Sequence, residues 1–181
     1  MAHVISVFGA SSPHPGSADY EAARDLGRRL ARLGMIVQTG GYSGVMEGAS
    51  RGAHEAGGHV IGVTCAQIEA FRPLAANPWV KEEIKWTTLR ERVLYVVENC
   101  AGIVVLPGGI CTLSEMALAW NHIQEGEIQP KPIIPVGGQW QRTLAAFVDP
   151  SYVHPQHAAL LSPVRTPAEA VHMLERHLLD G

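Results

Sequence analysis

The sequence has few lysines, few cysteines and few aromatic residues. Its 181 residues include three lysines, three cysteines and 6% aromatic residues, and 14 Lys+Arg stand against 17 Asp+Glu for a formal net charge of −3. Without an excess of basic residues, a chain does not hold nucleic acid by phosphate charge alone, so we expect no nucleic-acid partner. The three cysteines are unevenly spaced and form no CxxC pair, which argues against a disulfide framework and favours the reducing cytoplasm.

Long apolar runs are also missing. No stretch reaches the roughly 20 apolar residues that span a bilayer, and no basic segment precedes the apolar run in residues 1–8. We therefore expect neither a membrane partner nor a targeting signal. The composition, 46% hydrophobic and 17% charged, supplies a sizeable core. The length fits one domain over residues 1–181.

Motifs for the common cofactors are absent too. No GxGxxG follows the first predicted strand, and the second ends without an acidic residue for a ribose, which disfavours NAD and FAD. No GxxxxGK[ST] is present, which disfavours an ATPase P-loop. None of the lysines has a setting typical of a Schiff base, and the nine histidines show no HExxH. We therefore expect no cofactor and no metal.

Short apolar runs alternate with longer amphipathic segments along the chain. Strands are predicted at Val4–Phe8, Met35–Gln38, His59–Val63, Val80–Trp86, Ala101–Leu106 and Pro132–Val136. The segments between and after them favour helices, one of them opened by a capping box at Thr88–Glu91. This alternation predicts an α/β fold of the Rossmann-like, doubly wound type, with helices on both faces of a parallel sheet.

Three glycine-bearing turns each follow a predicted strand, at Phe8–Ser12, Thr39–Met46 and Pro107–Thr112. Carboxyl ends of parallel strands meet at one edge, where ligands bind. Glycine permits close approach of the backbone, and the helix that follows offers free N–H groups to an anion. Any one such turn needs glycine for its geometry alone, but the three together favour a phosphate or nucleotide site.

Two charged residues near these turns each have two interpretations. Glu115 either caps a helix, since Thr112–Glu115 fits a capping box, or places a carboxylate beside the glycine site. Arg92 either lies at the surface in solvent, like Arg90, or points a guanidinium into the pocket. On spacing alone the surface interpretation of Arg92 is the favoured one.

From Val4 to about Val136 the chain resembles the LOG (Lonely Guy) family of cytokinin riboside 5′-monophosphate phosphoribohydrolases. The stretch Gly40–Met46 is similar to the family's GGxxGLM motif, and Pro107–Glu115 is similar to its PGGxGTxxE motif. The family's arginine falls on Arg92, 23 residues before Glu115. The family glycine in PGGxGT is Cys111 here, and the turn is strained if the position needs a positive φ. We expect Cys111 to be a small buried side chain, and the alternative is a reactive thiol at the start of the helix.

This resemblance implies hydrolysis of the N-glycosidic bond of a nucleoside 5′-monophosphate, of the AMP or cytokinin riboside type. It implies Glu115 and Arg92 as catalytic residues and a homodimer as the assembly. The alternative is a non-catalytic nucleotide-binding or molybdenum-cofactor carrier protein of the same fold. The residues expected to hold phosphate and ribose are Gly9, Ser11, Gly40, Gly41, Ser43, Gly44, Met46, Pro107, Gly108, Gly109, Cys111 and Thr112.

Overall fold

A computed structural model describes residues 2–178 of the chain. These residues contain six strands, which are β1 (Val4–Phe8), β2 (Ile36–Thr39), β3 (Val60–Cys65), β4 (Glu82–Trp86), β5 (Gly102–Val105) and β6 (Ile133–Pro135). The eight helices in the same range are α1 (Ala18–Arg32), α2 (Val45–Glu55), α3 (Ala66–Phe71), α4 (Leu89–Glu98), α5 (Ile110–Gln124), α6 (Gly138–Phe147), α7 (Pro155–Ala158) and α8 (Pro167–Leu178).

All six strands form one parallel sheet in the order β4-β3-β2-β1-β5-β6. The chain builds outward from β1 to β4, then crosses back to place β5 on the other side of β1. Phe8 pairs with Val105 at the carboxyl ends of those two strands. The point between β1 and β5 is where a doubly wound sheet opens a crevice for a ligand.

Helices cover the sheet on both faces, as predicted. On one face, buried residues of α1, α2 and α8, such as Leu26, Ala49 and Leu174, pack against the strands. On the other face, residues of α4, α5 and α6 do so, among them Met116 and Trp140. The central strands are buried on both sides, which explains why they read as continuous apolar runs.

The structure also refines the predicted boundaries. The strand expected at Val80–Trp86 begins at Glu82, and the region expected to be mostly loop after β3 contains the six-residue helix α3. The capping box at Thr88 is confirmed: its side chain accepts from the Glu91 N–H, and the Glu91 carboxylate accepts from the Thr88 N–H. Among residues 2–178, no helix is long and apolar enough to cross a membrane.

Candidate active site at the carboxyl edge of the sheet

The three glycine turns meet at the carboxyl edge, because they follow the neighbouring strands β2, β1 and β5. Backbone hydrogen bonds join them directly. The Ala10 N–H donates to the Pro107 carbonyl at 3.0 Å, and the Val45 N–H donates to the Ala10 carbonyl at 2.8 Å. The Ser43 hydroxyl donates to the Ser11 carbonyl at 3.1 Å. The turn after β1 is therefore bonded to both of the others.

Two glycines in the turn after β2 are required by close packing. Gly44 has φ +74°, and a Cβ there would lie 2.4 Å from the Ala10 carbonyl oxygen. At Gly40 a Cβ would lie 1.9 Å from Nη2 of Arg92 and 2.6 Å from the Met46 sulfur. The missing side chain at Gly40 thus makes the space in which the arginine head lies.

Helices α2 and α5 begin at this edge with free backbone N–H groups. In residues 2–178, the amides of Ser43 and Gly44 before α2 have no acceptor, and neither do those of Gly109, Ile110 and Cys111 at the start of α5. The first N–H groups of a helix have no partner within it and carry a partial positive charge. Two sets of unpaired donors at one edge suit an anion such as phosphate.

Arg92 and Glu115 form a buried ion pair beneath these turns. Nη1 of Arg92 donates to Oε1 of Glu115 at 2.6 Å, and the side chains are each 8% exposed. Nε of Arg92 donates to the Val63 carbonyl at 3.1 Å, which fixes the guanidinium against the end of β3. The hydrogen bonds of this pair to described residues use Nε and Nη1 of Arg92 and Oε1 of Glu115, and none uses Nη2 of Arg92 or Oε2 of Glu115. Each side chain therefore keeps one polar atom available for a further partner.

The helix starts explain why these two side chains meet. The capping box at Thr88 begins α4, and Arg92 lies in the next turn, on the side that faces β3. Glu115 lies in the second turn of α5, on its buried face. Burial raises the pKa of the Glu115 carboxyl above its ordinary value of 4.5, and the adjacent guanidinium acts in the opposite direction.

One alternative and two expectations from the sequence are wrong. Helix α5 begins at Ile110 with Gly109 as its cap, so Thr112 packs on Gly108 and makes no capping box with Glu115. Arg92 is buried, which rejects the surface interpretation that spacing favoured. Cys111 is exposed rather than buried, and it is not strained, since no non-glycine residue in the described part of the chain has a positive φ.

Two residues that support the site had no signal in the sequence. Asn77, in the loop before β4, donates from Nδ2 to the carbonyls of Gly41 and Tyr42, both at 3.0 Å, and so holds the turn after β2. Gln139, near the start of α6, hydrogen-bonds the backbone of Gly108. A fourth glycine pair, Gly137-Gly138, follows β6 and places α6 at this edge.

The residues expected to hold phosphate and ribose differ in exposure. All of them lie in the three turns or in the first turn of α2 or α5. The buried ones are Gly40, Gly41, Gly44 and Thr112; the half-buried ones are Gly9, Met46, Pro107 and Gly108; the exposed ones are Ser11, Ser43, Gly109 and Cys111. Among residues 2–178, no group of three His, Cys, Asp or Glu side chains is placed to hold a metal ion.

Comparison with known proteins shows which family the chain resembles. The model of the SLOG cluster 4 family matches residues 2–143. A probable cytokinin riboside 5′-monophosphate phosphoribohydrolase of Oryza sativa subsp. japonica is 30% identical over 96% of this chain and 78% of its own length. A cytokinin riboside 5′-monophosphate phosphoribohydrolase of Mycobacterium tuberculosis is 30% identical over 83% of this chain and 82% of its own.

A solved structure shares the architecture over the full length. The molybdenum cofactor carrier protein of Chlamydomonas reinhardtii superposes with a TM-score of 0.77, at 26% identity and with all of both chains covered. The shared fold agrees with the predicted Rossmann-like architecture. The family match and the rice relative together confirm the resemblance noted in the sequence: the chain belongs to the LOG (Lonely Guy) family, and the family model that it matches is SLOG cluster 4.

Proposed function

We propose that the protein hydrolyses the N-glycosidic bond of a nucleoside 5′-monophosphate, of the AMP or cytokinin riboside monophosphate type. Water adds to C1′ of the ribose, the bond to the base nitrogen breaks, and the products are the free base and ribose 5-phosphate. The observation that carries the proposal is the buried Arg92–Glu115 pair, with one free polar atom on each side chain, below two sets of unpaired amides.

Glu115 is the catalytic carboxylate in this proposal. Glycosidic bonds break through a sugar with positive, oxocarbenium-like charge, which a nearby carboxylate stabilises. Oε2 of Glu115 has no other partner within the described residues, so it is free to orient the attacking water and accept its proton. The hydrogen bond from Arg92 to Oε1 holds the carboxylate in place for both tasks.

Arg92 acts beside it as the cationic group. Its Nε and Nη1 are fixed by protein acceptors, which leaves Nη2 to bind the substrate beside Gly40. There the guanidinium offsets negative charge on the leaving base or on the phosphate. The expected phosphate- and ribose-binding residues given above supply the surrounding donors.

The direct test is incubation of the protein with AMP and other nucleoside 5′-monophosphates, followed by chromatography for free base and ribose 5-phosphate. We expect Glu115→Gln to retain ribose 5-phosphate binding and to lose turnover by about 10²–10⁴-fold, since the amide is no base. Glu125→Gln, at the exposed C-terminal end of the same helix, is the matched control and should retain full turnover. Full activity in Glu115→Gln rejects the mechanism.

The second candidate function is a binding or carrier protein that holds a phosphate-bearing ligand without cleaving it. The full-length similarity to the Chlamydomonas carrier supports it. The same incubation separates the two functions. Base release by the wild type supports the hydrolase, whereas tight binding of the monophosphates with no base released by any of them supports the carrier.

We further propose that residues 1–181 act as one domain, in a homodimer in the cytoplasm. Three free cysteines among the described residues suit a reducing compartment. A shared apolar groove supports self-association: it is lined by Phe147, which is 62% exposed, and Tyr152, which is 89% exposed. Light scattering after size-exclusion chromatography tests the dimer, because a mass near one chain contradicts it.

A further inference from the structure

The side chain of Gln139 pairs with the backbone of Gly108 in the turn after β5. The Gly108 N–H donates to Oε1 of Gln139 at 2.9 Å, and Nε2 of Gln139 donates to the Gly108 carbonyl at 2.8 Å. The carboxamide thereby satisfies both backbone polar groups of this single residue. Gln139 itself is exposed, so the contact does not arise from tight packing of its side chain.

The position of α6 makes this contact possible. Strand β6 lies next to β5, and the chain leaves β6 through Gly137, whose φ of +95° turns it into α6. Nε1 of the buried Trp140 donates to the Leu106 carbonyl at 3.0 Å, at the end of β5. The start of α6 is thus tied to the strand that carries the glycine turn, with Gln139 directly beside that turn.

Gly108 has no side chain to restrict its backbone, and the structure leaves no room for one. A Cβ there would lie 2.2 Å from Oγ1 of Thr112, whereas at Gly109 a Cβ would meet nothing within 4 Å. Two consecutive glycines give the turn more conformational freedom than any other residue pair. By bonding both backbone groups of Gly108, Gln139 removes part of that freedom before a ligand arrives.

We propose that Gln139 is a positioning residue for the anion site at the start of α5. It orders the Gly108-Gly109 backbone, so that the free amides of Gly109, Ile110 and Cys111 are already directed at an incoming phosphate group. Binding to a pre-ordered turn avoids the entropy of ordering it at the moment of binding. The inference rests on the proposed function only in taking a phosphate monoester as the anion.

The test is calorimetric binding of ribose 5-phosphate and of inorganic phosphate to wild type and variants. For Gln139→Ala we expect Kd to rise about tenfold for both ligands, the factor that corresponds to one or two net hydrogen bonds. In Gln139→Glu the carboxylate accepts from the Gly108 N–H, cannot donate to its carbonyl, and repels phosphate. Gln139→Glu should therefore have a higher Kd than Gln139→Ala. Added salt should reduce the difference between the two Kd values, because it screens the repulsion.

Two controls separate positioning from a merely structural role. Gln141→Ala changes the same residue type in the same helix, where the side chain makes no hydrogen bond to any described residue, and should leave Kd unchanged. Thermal unfolding should show all variants folded at the assay temperature. With AMP as substrate, Gln139→Ala should raise KM by the same factor as Kd and leave kcat within about twofold, because phosphate binding is shared by ground and transition states.

The outcomes distinguish this inference from the proposed function. If Gln139→Ala and Gln139→Glu both bind ribose 5-phosphate within about twofold of wild type, the inference is overturned, and base release by the wild type still stands. If the wild type releases no base but Gln139→Ala binds phosphate about tenfold more weakly, Gln139 is a positioning residue in a protein that is not this hydrolase.

Discussion

Two arginine–glutamate pairs join neighbouring helices of this protein, one near the surface and one in the interior. Arg24 of α1 bonds Glu55 of α2 twice, at 2.8 and 2.9 Å, and Arg51 adds a third bond at 2.9 Å. Arg92 of α4 bonds Glu115 of α5 once, at 2.6 Å. The outer pair has more hydrogen bonds, although its side chains are 29% and 31% exposed and those of the inner pair only 8%.

The difference shows what each pair is for. Both oxygens of Glu55 are occupied by arginines, and the hydrogen bond from Arg24 is the main reason its pKa lies below the ordinary range. Glu115 has a pKa raised by burial and one oxygen left without a partner among the described residues. A buried ion pair is a poor source of stability, because the cost of taking two charges out of water offsets their attraction. The inner pair is therefore better explained as part of the active site. The outer pair is better explained as a contact that holds α1 against α2.

Removal of the inner arginine should give the largest effect. In Arg92→Ala the buried Glu115 loses its partner, and we expect the free energy of unfolding to fall by about 3–5 kcal/mol at neutral pH. Ligand binding and turnover should be lost together. Without the guanidinium the pKa of Glu115 rises further, so the folded protein keeps a proton that the unfolded chain releases. The free energy of unfolding should therefore fall as pH rises from the unfolded pKa of Glu115 to its raised folded pKa. Urea unfolding at a series of pH values measures this fall.

The matched control is Arg90→Ala in the same helix. Arg90 is exposed and has no ion pair among the described residues, so its loss should change the free energy of unfolding by less than about 0.5 kcal/mol. Equal stability and equal turnover in Arg92→Ala and Arg90→Ala would contradict the role assigned to the inner pair.

The sheet and its edge could be predicted because their signals are local. Uniformly apolar runs such as Ala101–Leu106 indicate buried parallel strands, and each of the three glycine turns lies immediately after its strand. The pairing of Arg92 with Glu115 could not be derived in this way. The two are 23 residues apart, and Arg92 stands on its helix much as Arg90 does, so only the family resemblance indicated a pocket residue.

The contacts of Gln139 and Asn77 that support the site could not be predicted from the sequence, for a related reason. Gln139 acts on a backbone 31 residues away and Asn77 on one 36 residues away, and no periodicity records such contacts. The capping box considered as one alternative at Thr112–Glu115 does not form, because a helix can begin one turn before a favourable motif when glycine is the cap, as Gly109 is here. The segment after the last predicted strand was expected to be helical, and α6 confirms this, but a helical pattern does not place Gln139 beside Gly108.

The pH dependence of turnover should show an effect of intermediate size that belongs to the inner pair. Glu115 must be ionised to act as a base, and burial raises its pKa above the ordinary 4.5. Turnover should therefore fall as pH falls through that raised pKa, which places the acid limb of kcat above pH 4.5. Circular dichroism at each pH excludes unfolding as the cause. An acid limb at or below 4.5, or the same limb in the residual activity of Glu115→Gln, assigns it to another group.

Removal of the outer arginine should give the smallest effect and is the sharpest check on the comparison. Arg24→Ala leaves Glu55 near solvent and still bonded to Arg51, so we expect a loss of stability far smaller than that of Arg92→Ala and an unchanged kcat. The pKa of Glu55 is lowered in the folded state, so the stabilisation from Arg24 is present above the unfolded pKa and is lost as pH falls through the folded one. Urea midpoints of wild type and Arg24→Ala should thus differ near neutral pH and converge once the pH has fallen below the lowered pKa of Glu55. A loss as large as that of Arg92→Ala would mean that burial does not separate the two pairs, because a solvated pair with a second partner would then contribute as much to stability as an interior one.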